Sequence, residues 1–237
     1  MNDRHNLIDT IRAGLVPIHW DGHKFLGISV AVTILLFLLW SPLGWLGVLI
    51  TAYIAYFFRD PRRVTPVRAD LIVAPADGTI TSVHLDTPRS ELGLPDTPHT
   101  CISIFLSVFD VHVNRAPIDG VIARKIYVPG LYLNAALDKA SEDNERETMV
   151  FRSDTGLQIG VVRIAGLIAR RIVTFVREGQ TVEAGSRIGL IRFGSRVDVY
   201  IPGARGILVA EGQRVVGGET VLGDLRSQEN AREVRLN

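Results

Sequence analysis

The chain has 237 residues, 47% of them hydrophobic and 22% charged, enough apolar content for a sizeable core and too much for a disordered polymer. Its 26 basic and 25 acidic side chains leave a net charge of +1, so no global positive field exists to hold nucleic acid. A single cysteine, Cys101, excludes an internal disulfide and a cysteine-rich zinc site, and it fits a reducing compartment.

In chain order, Leu7, Ile8, Ile11, Leu15 and Ile18 recur at helical spacing. Residues 1–24 therefore read as an amphipathic leader, lying in a membrane interface or packed on the protein body. Residues 25–58 carry no charge at all. One helix of that length would run about 51 Å, well beyond a hydrocarbon core of about 30 Å. Ser41-Pro42, followed by Gly44, supplies a break. The segment is expected to be a membrane-associated helical hairpin with arms 25–40 and 43–58, each about 24 Å long; whether it spans the bilayer or dips into one leaflet stays open. Arg12 and Lys24 precede it and Arg59, Arg62, Arg63 and Arg68 follow it, which places both ends on the cytoplasmic side of a cell membrane. A cleaved signal peptide fits less well, because the apolar run starts late, exceeds a signal core and lacks a small-residue cleavage site.

From Leu71 onward the pattern changes to short β-branched runs punctuated by glycine and proline, at 102–105, 121–128, 158–164, 172–176, 188–191 and 197–201. Residues 59–237 read as a mainly β (α+β) domain, a compact sandwich of β-hairpins. A repeat supports this: Glu178-Gly179-Gln180-x-Val182-x-x-Gly185 recurs as Glu211-Gly212-Gln213-x-Val215-x-x-Gly218, an offset of 33 residues. Its glycine spacing is that of a lipoyl-like hairpin pair.

Several strings carry chemistry, each with an ordinary structural reading beside it. Asp77-Gly78 is a common turn dipeptide. His112, in an apolar run, reads in isolation as a hydrogen-bonded core histidine. Gly194-Ser195 reads as another turn, although a serine behind a flexible glycine can also turn its hydroxyl on the preceding carbonyl. Asp138-Lys139-Ala140 resembles the attachment site of a lipoyl or biotinyl carrier, which would make the chain a membrane-tethered carrier module. Against that, Lys139 precedes the repeat rather than lying between its halves. No zinc-hydrolase, paired-cysteine or Walker motif is present, so no metal is expected.

Taken together the strings resemble the short form of the phosphatidylserine decarboxylase family, whose members are pyruvoyl-dependent proenzymes. The resemblance runs from Tyr56 to Pro202 through Phe57-Phe58-Arg59-Asp60-Pro61, Ala74-Pro75-Ala76-Asp77-Gly78, Val111-His112-Val113-Asn114-Arg115-Ala116-Pro117, the run 138–146, Ile164-Ala165-Gly166-Leu167-Ile168-Ala169-Arg170-Arg171 and Phe193-Gly194-Ser195-Arg196. It implies that Ser195 attacks the Gly194 carbonyl, that the chain divides into a large piece (1–194) and a small piece (195–237) held as a heterodimer, and that Ser195 becomes a covalent pyruvoyl cofactor. Through a Schiff base with that group, phosphatidylserine in the membrane would lose carbon dioxide and leave as phosphatidylethanolamine. Asp77 and His112 match the family's acid and histidine motifs, Asp77 as the group that orients or charges a histidine and His112 as the proton shuttle. One departure stands out: many members carry a second histidine three positions on, where this chain has Arg115. That departure keeps a processing-dead scaffold of the same fold as an alternative. Arg115, Arg170, Arg171 and Arg196 are candidate ligands of the lipid phosphate or plain surface charges. The resemblance leaves oligomeric state beyond the heterodimer open.

Overall fold

The computed structural model describes residues 16–130, 144–166, 171–192 and 194–230. The chain divides into two compact units, Met1–Arg62 and Arg63–Asn237. In the first, helix α1 (Trp20–Leu39) and helix α2 (Ser41–Phe57) form the expected hairpin. Trp40 is extended (φ −166°, ψ 123°) and Pro42 falls in the first turn of α2, where a missing N–H costs nothing. α1 begins inside the segment read as leader, because the His19 ring caps it by accepting from the Asp21 N–H at 3.2 Å. The rest of the leader, residues 1–15, lies outside the described residues.

Small residues let the two helices meet: Gly47 packs on Thr33, and Gly44 on the Phe37 ring. Ser29 and Thr51 share a hydrogen bond of 2.7 Å and Thr33 and Thr51 one of 3.1 Å, so these hydroxyls are satisfied inside the pair. Outward lie Ile28, Leu35, Leu38, Leu39, Trp45, Leu46 and Leu49, all exposed. An apolar surface of this extent on two helices marks a membrane-associating element. α1, at about 30 Å, is long and apolar enough to cross a bilayer, whereas α2 is shorter.

The second unit is built of strands β1 (Leu71–Val73), β2 (Gly78–Asp86), β3 (His99–Leu106), β4 (Val113–Arg115), β5 (Gly120–Val128), β6 (Arg146–Arg152), β7 (Gln158–Ala165), β8 (Ile172–Thr174), β9 (Thr181–Val182), β10 (Arg187–Ile191), β11 (Ser195–Pro202), β12 (Arg214–Val215) and β13 (Val221–Asp224). All named pairings are antiparallel: a sheet β12-β2-β3-β11-β7-β6-β5-β9, a second sheet β4-β10-β8 and the pair β1-β13. Alternation along β11 sends Val197, Val199 and Ile201 into the main core with Ile102, Ile104, Met149, Phe151 and Ile188. Tyr200, on the other face, joins Leu92, Cys101, Val150, Val162 and Ile164 in a smaller cluster. The central strand is thus covered on both sides, as a mainly β sandwich requires.

The repeat is real in three dimensions and longer than the sequence pattern indicates. Gly212 N–H and Gln213 C=O clasp Ile80 at 2.8 and 2.9 Å, while Gly179 N–H and Gln180 C=O clasp Ile122 at 2.8 and 3.0 Å. Gly218 N–H reaches Ala74 C=O at 2.7 Å, as Gly185 N–H reaches Ala116 C=O at 2.8 Å. The partners of these clasps belong to a further repeat, Ala74-Pro75-x-Asp77-Gly78 and Ala116-Pro117-x-Asp119-Gly120. Both aspartates cap the opposite turn, Asp77 Oδ1 accepting from Gly217 N–H at 2.8 Å and Asp119 Oδ1 from Ala184 N–H at 2.7 Å. Glycine is required at 78 and 120, where φ is +157° and +149° and a Cβ would lie 2.3 Å from Phe105 O and 2.2 Å from Arg152 O. The two motifs interlock through Val73 N–H to Pro117 C=O (2.9 Å) and Arg115 N–H to Pro75 C=O (2.8 Å).

Candidate functional site

The interlocked motifs differ at one point of topology, and that difference builds the site. In the second motif β6 and β7 are joined by a hairpin at 153–157, closed by Ser153 N–H to Leu157 C=O at 2.9 Å. In the first motif the whole second motif is inserted between the corresponding strands, β3 and β11. The chain leaving β3 and the chain entering β11 are therefore separate segments that meet where Leu106 pairs with Ser195.

The segment leaving β3 turns at 107–110. Asp110 closes that turn, its carboxylate accepting from Ser107 N–H at 2.8 Å and Ser107 Oγ–H at 2.7 Å and pairing with Arg214. The turn delivers His112, which is buried and whose Nδ1 lies 2.9 Å from the Asp110 carbonyl oxygen. The segment entering β11 delivers Gly194, at φ +67°, and Ser195, fully buried opposite Leu106 and Ala165. Gly194 N–H donates to His112 Nε2 at 3.3 Å. A donor at Nε2 requires a lone pair there, so the neutral ring carries its proton on Nδ1, directed at the Asp110 carbonyl. Among the described residues the side-chain oxygen of Ser195 has no hydrogen-bond partner. The buried Ser195 hydroxyl, the left-handed Gly194 and the acceptor nitrogen of His112, which receives the Gly194 N–H one peptide before the Gly194-Ser195 bond, are thus brought together.

The carboxylate of Asp77 accepts two bonds from Arg63 Nη2, at 3.0 and 2.7 Å, and one from Gly217 N–H, and makes none with His112. Burial pushes its pKa up, opposed by the Arg63 guanidinium and the Gly217 N–H, with Asp110 adding to the rise. The group that orients the His112 ring here is the Asp110 carbonyl. Arg115, buried, gives Nη1 to Gly185 C=O at 2.8 Å. Arg196 lies on the opposite face of β11 from Ser195, bonded to Asp198 at 2.6 Å and Ser103 Oγ at 2.8 Å. Arg171 is exposed, while Arg170 and Lys139 lie outside the described residues.

Sequence reasoning missed a buried polar cluster between the sheets. Arg163 of β7, fully buried, pairs with Glu147 of β6 and bonds Thr174 Oγ1 at 2.6 Å, and Thr174 donates to Glu147 at 2.8 Å. Charged residues inside Val161-Val162-Arg163-Ile164 and Glu147-Thr148-Met149-Val150 were the available signal, since such residues are seldom buried unless paired. Asn144 gives its amide to Ala165 C=O at 2.8 Å, behind the residue that faces Ser195. Cys101 is buried and its thiol is pushed up to about 12, chiefly by burial, so it is no nucleophile. Among the described residues no cluster of histidine, cysteine and carboxylate fits a metal ion.

The family model described as phosphatidylserine decarboxylase matches residues 50–223. A protein of Nitrobacter winogradskyi described as phosphatidylserine decarboxylase proenzyme is 55% identical over 217 residues, covering 92% of this chain and 88% of that relative. The matched stretch holds both His112 and the Gly194-Ser195 pair, and by this match and this relative the chain belongs to the phosphatidylserine decarboxylase family.

Proposed function

We propose that the chain is a membrane-tethered proenzyme that splits itself between Gly194 and Ser195 and then decarboxylates phosphatidylserine to phosphatidylethanolamine. The observation that carries this reading is the Gly194 N–H on His112 Nε2 beside the unpartnered Ser195 hydroxyl. Ser195 Oγ attacks the Gly194 carbonyl carbon, and His112 Nε2 takes the hydroxyl proton. As the peptide C–N bond breaks, the same proton passes to the Ser195 nitrogen and an ester replaces the amide. The Asp110 carbonyl, accepting from Nδ1–H, stabilises the ring while it is charged. Removal of the Cα proton of residue 195 expels Gly194 as a carboxylate, and addition of water with loss of ammonia leaves a pyruvoyl group at the new chain end.

Ser195 fits such a group: its side chain is buried, unpartnered and faces the small side chain of Ala165 across the strand pair. A pyruvoyl group at residue 195 would supply an electron-poor carbonyl able to condense with the primary amine of the lipid serine and to act as the electron sink for its decarboxylation. His112, beside residue 195, is the group to return a proton to the substrate carbon. Strand pairing keeps the pieces together after the cut. β11 lies between β3 and β7, β12 on β2 and β13 on β1, so each strand of the small piece is hydrogen-bonded to the large one. The helical hairpin tethers the catalytic unit to the bilayer, from which a two-chained lipid does not readily leave. Basic residues on both flanks of the hairpin favour a cytoplasmic catalytic unit.

The test is the mass of the fragment that begins at residue 195. It is expected to be lighter than the encoded peptide by the exchange of the serine amino end for a ketone. Ser195→Ala is expected to leave the chain whole and without decarboxylase activity. An intact parent chain that still consumes phosphatidylserine would overturn the reading.

A further inference from the structure

Among the described residues, Ser195 Oγ, used above, and Asn114 Nδ2 are buried polar atoms without a hydrogen-bond partner. Asn114 is fully buried in β4, two residues beyond His112, and so points from the same face of the chain. Its orientation is set by its neighbours. Arg163 Nη1 approaches Asn114 Oδ1 at 3.5 Å, and the guanidinium is held by Glu147, by Thr174 and by Val173 C=O at 3.3 Å. Turning the amide over would set its N–H groups against those of the guanidinium, so Oδ1 faces Arg163 and Nδ2 faces away. Opposite Asn114 in the ladder stands Gly189, where a Cβ would lie 2.1 Å from Arg163 Nη1. The backbone there leaves room for the guanidinium that fixes the amide. A desolvated N–H donor without an acceptor costs about 1–3 kcal/mol, which a hydrogen bond formed during reaction would recover.

We propose that Asn114 Nδ2 donates to the Gly194 carbonyl oxygen as negative charge develops on it during attack by Ser195. Same-face positions on a strand lie about 7 Å apart, a distance bridged by the reach of two side chains converging on one peptide. His112 Nε2 already touches the nitrogen of that residue, whose carbonyl carbon is two bonds further on. The alternative donor on this stretch, Arg115, is turned to Gly185 C=O. In the step itself the Oγ–C bond forms as the carbonyl π pair moves to oxygen. The proton goes to His112 and the oxygen takes the Asn114 N–H. Collapse then restores the carbonyl and breaks the C–N bond. An aligned donor at this oxygen, already desolvated, is worth about 10²–10³ in rate.

This inference rests on the self-splitting reading, and the test separates the two. Full-length chain is synthesised in the presence of phospholipid vesicles and its conversion to two bands is followed with time. Asn114→Leu, which keeps the volume and removes the donor, is expected to slow the split about 100-fold or more. Asn114→Asp supplies a donor only when protonated, so its rate relative to the parent at the same pH is expected to rise as pH falls. His112 is common to both chains and drops out of that ratio. A purely structural role for Asn114 gives no such change in the ratio. A split within threefold of the parent for Asn114→Leu, or an Asn114→Asp to parent ratio that does not rise as pH falls, overturns the proposal. If Asn114→Leu fails to fold, the pH trend of that ratio decides alone. A parent chain that never splits, or a Ser195→Ala chain that does, would instead sink the self-splitting reading.

Discussion

The two interlocked motifs of the second unit share their turns, their capping aspartates and their positive-φ glycines, yet only the first borders the candidate site. The difference lies in what joins the paired strands. β6 and β7 close through a short hairpin whose peptide groups are satisfied locally. β3 and β11 have no such closure, so a histidine leaving one strand and a glycine-serine pair entering the other converge at the same end of the sheet. A local turn has been exchanged for two chain segments, and His112 and the Gly194-Ser195 pair stand where the hairpin residues would be. The capping aspartates differ as well. Asp119 holds its turn at an exposed position, whereas Asp77 does so partly buried and with Arg63 bound to it. Asp77 thus caps a turn as Asp119 does, at a position the fold uses twice.

Substitutions that treat the motifs differently or alike sharpen this comparison. The largest effect is expected at His112: alanine there removes the base and slows the split about 10²–10⁴-fold on a gel time course. In the hairpin that closes the second motif, Ser153→Ala loses the bonds to Thr155 and Leu157 and is expected to leave the split unchanged, with a stability loss near 1 kcal/mol. Next come the glycines. Gly78→Ala and Gly120→Ala force a Cβ onto Phe105 O and Arg152 O, and each is expected to cost about 3 kcal/mol in denaturant unfolding of the second unit. Equal losses support equivalence of the motifs, and a loss at only one breaks it.

Asp77→Asn is expected to cost about 2 kcal/mol, because it leaves the mostly buried Arg63 without its charge partner, while Asp119→Asn costs under about 1. Combining Asp77→Asn with Arg63→Gln should then destabilise less than the two separately, and strict additivity would remove Arg63 from the explanation. The smallest effect is on pH dependence. Burial raises the Asp77 pKa above the ordinary 3.8, so in the window above that value the folded state binds more protons than the unfolded one. Stability from this group falls as pH rises from 3.8 through the folded pKa, and Asp77→Asn should flatten that part of the curve. Glu91 has the opposite sign. Hydrogen bonds from Arg146 lower its pKa, so its contribution, present above the ordinary 4.5, is lost as pH falls through the folded value.

Much of the fold and part of the site were legible in the sequence. The uncharged run and its Ser-Pro break specify two helices, since both signals act within a turn or two of chain. The Glu-Gly-Gln repeat is legible for the same reason, as its glycines answer a local φ requirement. The Ala-Pro-x-Asp-Gly pair recurs at an offset of 42 residues rather than 33, so no constant period reveals that the two repeats are halves of one motif. Asp77 was legible as a motif residue but not its partner, because Arg63 lies 14 residues away and meets it only through the fold.

The sequence by itself determined the local things: an apolar helical pair, β-branched strands of alternating polarity, the turns that need glycine and the Gly-Ser pair. These follow from hydrophobic period and backbone sterics, which neighbouring residues settle among themselves. Only the tertiary structure decided that His112 meets Gly194 across 82 residues of chain, that the Asp110 carbonyl rather than a carboxylate orients the ring, and that Arg163 and Glu147 meet beneath Asn114. Those outcomes depend on which strands pair and in what register, and pairing is settled by the burial of a whole core at once, not by any segment alone.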